Sequence, residues 1–182
     1  SLMRLRGRVG WQTIGHGAGT GFELFGRSLS AVLPSARESQ PVDFSLRRIP
    51  HHGDKPARGM FSVGRLNLKF LNDLAEYLPL GSKLNHELDR LSPRGELHYV
   101  RAKWVDDVAT PSSFSATGKF TNLGMKKSET LPAFDGISGN IDITERAGTL
   151  NLNSHGVTVE FQEVFDRPLK LDTLTGQASW SR

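Results

Sequence analysis

The sequence predicts a mainly β fold: a curved antiparallel sheet or groove of a repeating architecture, with a short two-helix insertion near residues 70–92. Three observations predict it. Apolar and polar residues alternate from end to end, as strands with one wet face require. Breaks rich in Gly and Pro interrupt the alternation at short intervals, which suits antiparallel strands joined by tight turns. Leucines at helical spacing are concentrated around residues 71–91.

In chain order, Met3, Leu5, Gly7, Val9 and Trp11 share one parity, with Arg4, Arg6 and Arg8 on the other. The glycine-rich run Gly15 to Gly21 separates this strand from Phe22-Glu23-Leu24. Val42, Phe44 and Leu46 alternate before Pro50, and Met60 to Phe70 carries a strand whose parity shifts partway. Leu71, Leu74, Ala75 and Leu78 then fall on one helix face, which Pro79 ends. Leu84, Leu88 and Leu91 repeat that spacing in a second helix, with Ser82 as its N-cap and Ser92-Pro93-Arg94-Gly95 as its stop. Both helices are expected to lay their leucines on a sheet. Strands return from Glu96, with Val100, Ala102 and Trp104 on one face and Phe114, Ala116, Gly118 and Phe120 in the next run. The last third reads as four strands: Ile137 to Ile143, Leu150 and Leu152, Val157 to Phe161, and Leu169 and Leu171. Ala147-Gly148 and His155-Gly156 are the expected turns between them.

At 182 residues the chain has the length of about one domain. It is expected to be a single β-rich module spanning 1–182, with strands over 1–69, a helical insertion over 70–92 and a meander over 95–182. The module reads as a piece excised from a longer protein. Hydrophobic residues make up 37%, and no run approaches the roughly 18 apolar residues of a membrane-spanning helix. The net charge is +4, spread without a long basic block, and no aromatic alternates with Arg4, Arg6 and Arg8 on their face; no nucleic-acid partner is expected. The absence of cysteine excludes disulfides, thiolate nucleophiles and zinc ribbons.

Chemistry-bearing motifs are sparse. The six histidines show no metal-ligand spacing, and His51-His52-Gly53-Asp54, the nearest thing to a cluster, lies between Pro50 and Pro56 as a solvated loop would. The Gly15 to Gly21 run lacks both the G-K-[ST] ending of a P-loop and the third glycine of G-x-G-x-x-G. No G-x-S-x-G elbow occurs. Asp142 with Glu145, and Asp106 with Asp107, read as surface acids. No catalytic residue, metal or cofactor is therefore expected. Two short helices cover only part of a sheet this long, so the sheet either closes as a sandwich or leaves an apolar groove.

One echo recurs at the two ends. Leu5-Arg6-Gly7-Arg8-Val9-Gly10-Trp11 and Leu174-Thr175-Gly176-Gln177-Ala178-Ser179-Trp180 share the pattern L-x-G-x-[VA]-[GS]-W. Such placement is expected where a fragment spans about one period of a repeating β architecture, and it leaves both end strands as unprotected edges.

The run Leu131-Pro132-Ala133-Phe134-Asp135-Gly136-Ile137-Ser138-Gly139-Asn140-Ile141 carries a family resemblance. So do Gly148-Thr149-Leu150-Asn151-Leu152, Phe165-Asp166-Arg167-Pro168-Leu169-Lys170-Leu171, and Leu174-Thr175-Gly176 to Trp180. In their order and spacing these resemble the AsmA-like bacterial envelope proteins of the YhdP type. Tyr77-Leu78-Pro79-Leu80 and Leu91-Ser92-Pro93-Arg94-Gly95-Glu96-Leu97 are similar to that family's helical insertion and its return to strand.

The resemblance implies the periplasmic portion of a protein anchored in the inner membrane of a Gram-negative bacterium. Its partners would be phospholipid or another acyl-chain lipid and adjacent modules of the same chain. Its role would be to conduct phospholipid toward the outer membrane and maintain that membrane's barrier. Alternation together with the resemblance nominates Phe114, Phe120, Ile141, Ile143, Leu150, Leu152, Val157, Val159 and Phe161 as lipid-contacting residues. Two other functions stay open: a non-catalytic structural or interaction β-sandwich of the envelope, and a hydrolase using the His51-His52-Asp54 loop.

Overall fold

The computed structural model describes residues 4–15, 19–32, 40–74, 82–108, 110–128, 132–161 and 167–181. Nine strands carry the alternating segments: β1 (Arg4–Ile14), β2 (Gly21–Val32), β3 (Val42–Ile49), β4 (Arg58–Asn67), β5 (Arg94–Asp106), β6 (Pro111–Met125), β7 (Ala133–Thr144), β8 (Ala147–Glu160) and β9 (Leu169–Ser181). Each pairs antiparallel with the next, in the order β1 to β9. Because β1 pairs with β2 alone and β9 with β8 alone, the sheet is an open meander rather than a barrel.

The helical insertion lies between β4 and β5 as α1 (Leu68–Leu74) and α2 (Ser82–Leu91). α1 begins three residues before the predicted Leu71. Its start is set by Asn67, whose Oδ1 accepts the Phe70 N–H at 2.9 Å and so caps the first turn. α2 contains the predicted Leu84, Leu88 and Leu91. It stops where Ser92 turns to φ +42° and donates its N–H to the Leu88 carbonyl at 2.8 Å. Ala75, Leu78 and the expected stop at Pro79 lie outside the described residues, as do Met3, His16 to Ala18, Leu131, and Phe165 with Asp166.

β-Bulges cross the sheet at two staggered levels, one running from β2 to β5 and the other from β6 to β8, where Thr121 pairs with Glu96 rather than lying opposite Tyr99. In β2, β4, β6 and β8 the inward parity is broken by two consecutive exposed residues: Arg27-Ser28, Gly64-Arg65, Thr121-Asn122 and His155-Gly156. Backbones at these bulges enter the left-handed region, at Ser28 (φ +49°), Tyr99 (+53°), Asn122 (+50°), Gly136 (+85°) and Gly156 (+68°). Register shifts accompany them between β1 and β2, β2 and β3, β5 and β6, β6 and β7, and β7 and β8. The parity shift expected within Met60 to Phe70 is the β4 member of the first level. A bulge bends its strand and raises its twist, so bulges on successive strands curve the sheet.

Side chains replace the ladder bonds that the bulges remove. The Asn122 N–H donates to Ser138 Oγ at 3.0 Å, and the Ser138 N–H donates to Ser154 Oγ at 2.8 Å. Ser154 Oγ in turn donates to the Ser138 carbonyl at 3.0 Å. On the other side of the sheet, the Ser28 N–H donates to Asp43 Oδ1 at 2.6 Å.

Here the structure corrects an expected turn. His155-Gly156 is a bulge inside one long strand, and the β8–β9 pairing runs through it from Ala147↔Ser181 to Val159↔Leu169. Among the described residues the last third therefore holds three strands, not four. Gly156 reaches positive φ without reversing the chain, because Ser154 keeps the two sides of the bulge tied to β7.

The core is thin. Ala31, Val63, Leu68, Phe120 and Val157 are the apolar residues buried among those described. Beyond each strand's neighbours, the main packing on the sheet is α1 against β4 and β5. A single layer buries side chains mainly against their cross-strand partners, which leaves one face of this sheet in question.

Candidate functional site

Residues directly opposite in antiparallel strands project from the same face. The register therefore assembles a continuous row across all nine strands: Trp11, Leu24, Leu46, Phe61, Ala102, Ala116, Ile143, Gly148 and Trp180. A second row on this face runs Val9, Gly26, Phe44, Val63 and Val100, and continues beyond the β5 bulge as Gly118, Ile141, Leu150 and Ala178. A third runs Leu66, Leu97, Phe120, Gly139, Leu152 and Gly176. No residue of these three rows carries a charge or a hydrogen-bonding side chain other than the tryptophan N–H groups.

The opposite face is polar. One of its rows reads Gly10, Phe25, Ser45, Ser62, Arg101, Thr117, Asp142, Thr149 and Ser179. On the apolar face most side chains are half-buried, whereas the edges are open: Val9 is 60% exposed, Trp11 68% and Trp180 47%. Exposed tryptophans at both margins mean that the apolar face has no rim of its own.

Glycines on this face are matched to aromatic rings on the next strand. A Cβ at Gly26 would strike the Phe44 ring, one at Gly59 the Trp104 indole, and one at Gly148 the Trp180 indole. At Gly139 it would approach Phe120. Each ring therefore occupies space beside a glycine that a Cβ would fill.

The nine nominated residues fall as follows. Ile143 lies in the first row, Ile141 and Leu150 in the second, and Phe120 and Leu152 in the third; Phe114 pairs with Trp104 at the end of the same face. Beyond the bulge, Val159 pairs with Phe134 and Leu169, and Val157 with Leu171, continuing the face along β8. Phe120 (8% exposed) and Val157 (1%) are already covered by the protein, so they support the surface rather than present it. Phe161 lies one residue beyond β8 and is 40% exposed. Sequence alternation alone missed the contributions of β1 to β4, such as Leu24, Leu46 and Phe61, which only the register joins to the rest.

The polar face holds a buried acid at β2. Glu23 is 5% exposed and accepts from Gln12 Nε2 (2.8 Å), Ser45 Oγ (2.6 Å) and Arg47 Nε (3.0 Å). The Ser45 hydroxyl foremost, then Arg47 and Gln12, hold its carboxyl down at about 2, against the opposing effect of burial. This network joins β1, β2 and β3. Glu145, read as a surface acid, is also held below the usual carboxylate range, by its own backbone N–H and by that of Phe114 at 3.2 Å. It is an ionised acceptor that fastens the β7 end to β6, not a proton donor.

His51, His52 and Asp54 stand exposed on the β3–β4 connection. There His52 and Lys55 exchange two backbone hydrogen bonds of 3.0 Å around Gly53, which adopts φ +56°. This is a tight turn built for reversal. Among the described residues no three His, Asp or Glu side chains gather as metal ligands, and no helix is long and apolar enough to cross a membrane.

No curated protein and no solved structure matches the chain. One family model, described as YhdP protein, matches residues 1–182, and the chain belongs to that family.

Proposed function

We propose that the chain forms one length of a lipid-conducting groove in the periplasmic part of an inner-membrane-anchored envelope protein, which moves phospholipid between the inner and outer membranes. Family membership supports the coarser reading of an envelope protein of the lipid-transport type. The observation that carries the finer one is the apolar face, two of whose cross-strand rows run over all nine strands without a charged side chain. Acyl chains laid along Ile141, Ile143, Leu150, Leu152 and Val159 would leave water at about 25 cal/mol per Å² of apolar surface covered. Headgroups would remain at the open seam. No step of bond chemistry is needed, because transfer along such a face exchanges one apolar contact for the next.

A benzophenone side chain introduced at Leu150 on the apolar face, and separately at Asn140 on the polar face, tests this in the full-length protein within cells. Phospholipid crosslinked at position 150 and not at 140 is the expected result. Equal labelling, or a protein adduct alone at position 150, would favour a non-catalytic structural or interaction module instead.

A further inference from the structure

The polar face is not uniformly polar. At the sheet end where β3, β5 and β7 finish, it holds a cleft of about 700 Å³, within the range of small-ligand sites. Two adjacent cross-strand rows floor it. One reads Ile49, Arg58, Val105 and Ser113, and the other Arg47, Met60, Lys103 and Ser115, so apolar and cationic side chains alternate in a checkerboard. Ile49 is 39% exposed and Met60 37%, unusual positions for such residues on the wet side of a sheet. Ile14 of β1 closes the far wall; its partner Gly21 on β2 contributes no side chain between them.

Cations outnumber acids in the lining of the cleft, with Arg47, Arg58 and Lys103 against Glu145. Arg58 and Lys103 form no ion pair among the described residues. Two acids beside them are engaged: Glu23 by Arg47, Ser45 and Gln12, and Glu145 by Ser113 and the Phe114 N–H. Exposed Arg101, which follows on the same face, adds to the positive field. A low-lying apolar floor set among cations matches a ligand with an anionic head and an apolar chain, since a bare anion would waste the floor and a neutral chain the cations.

We infer that this cleft is a second site, on the face opposite the groove, for a single-chain anionic amphiphile. Its phosphate or carboxylate head lies among Arg47, Arg58 and Lys103, and its chain rests on Ile14, Ile49, Met60 and Val105.

Isothermal titration calorimetry of the purified chain tests the inference, with dodecyl phosphate below its micelle concentration as the probe. Inorganic phosphate serves as the head alone and dodecanol as the chain alone. Dodecyl phosphate is expected to bind at least about tenfold more tightly than either. The double variant Arg58→Gln/Lys103→Gln, both exposed and checked for folding by circular dichroism, is expected to weaken it by about tenfold or more, and Lys119→Gln, outside the cleft, to leave it unchanged. Inorganic phosphate binding as tightly as dodecyl phosphate would overturn the inference, as would dodecanol doing so. Unchanged binding in the double variant would place the ligand elsewhere, on the groove face, and absence of binding would remove the site.

Discussion

Trp11 and Trp180 terminate the same cross-strand row, at opposite edges of the sheet. They are also the last residues of the two echoed heptapeptides in β1 and β9. A motif that recurs at the first and ninth strands, on one face and in one row, is what a repeating sheet needs if β9 of one unit stands where β1 of the next begins. We therefore expect a tandem chain, in which Gln12 of a second copy follows Trp180 of the first, to fold as one continuous sheet. Urea denaturation should then give one transition with a slope well above that of the single unit, since the slope scales with the surface exposed. Two separate transitions, each resembling the single unit, would mean that the echo does not mark a period.

Ser154 is fully buried and ties the β7–β8 bulge by donating to the Ser138 carbonyl and accepting from the Ser138 N–H. Ser154→Ala would strand both backbone groups away from water, at a cost of about 1–3 kcal/mol. His155→Ala, one residue along but exposed, should stay within about 0.5 kcal/mol. Equilibrium urea unfolding separates the two cases, and similar midpoints for both variants would show that the bulge holds without its serine.

How far this structure could be read from the chain follows from the range of each interaction. Alternation is local, so strands such as β7, with Ile137, Gly139, Ile141 and Ile143, are plain in the sequence, and so is the parity shift between Val63 and Leu66. The echo is legible because it is text. His155-Gly156 misleads because a glycine at positive φ serves a turn and a bulge equally; what decides between them is Ser154 reaching Ser138, sixteen residues away. The Glu23 network and the polar-face cleft draw on three or more strands each, and no spacing within one strand announces them. The nominated residues of β6 to β8 were accessible to pattern, while which of them are covered, Phe120 and Val157, depends on packing.

Glu23 sets an acid limit on the first three strands. Its carboxyl titrates at about 2 in the folded protein, against an ordinary value of 4.5. A depressed folded value means that its stabilisation is complete above the unfolded value and is lost as pH falls from about 4.5 toward about 2. Glu145, shifted in the same direction, adds to that loss. Glu23→Gln should lower stability at pH 7 by about 1.5–3 kcal/mol, because Arg47 loses its charged acceptor. The variant should also lose less stability between pH 5 and 3 than the parent does. Parallel acid profiles for the two proteins would show that Glu23 is not the titrating group.

Gly59 and Gly64 lie in the same strand and make opposite predictions. A Cβ at Gly59 would fall within the Trp104 indole, whereas one at Gly64 meets nothing within 4 Å, and Gly64 does not need positive φ. Gly59→Ala must push Trp104 off the β4 backbone, an overpacking cost of about 1–3 kcal/mol. Since the displaced ring belongs to the apolar face, tryptophan fluorescence should shift as well. Gly64→Ala removes conformational freedom from the unfolded chain without a clash, and it should be neutral or stabilising by about 0.4–1 kcal/mol. Thermal unfolding of the two variants measures the difference directly. If both substitutions destabilise alike, glycine at position 59 reflects strand conformation rather than the indole lying on it.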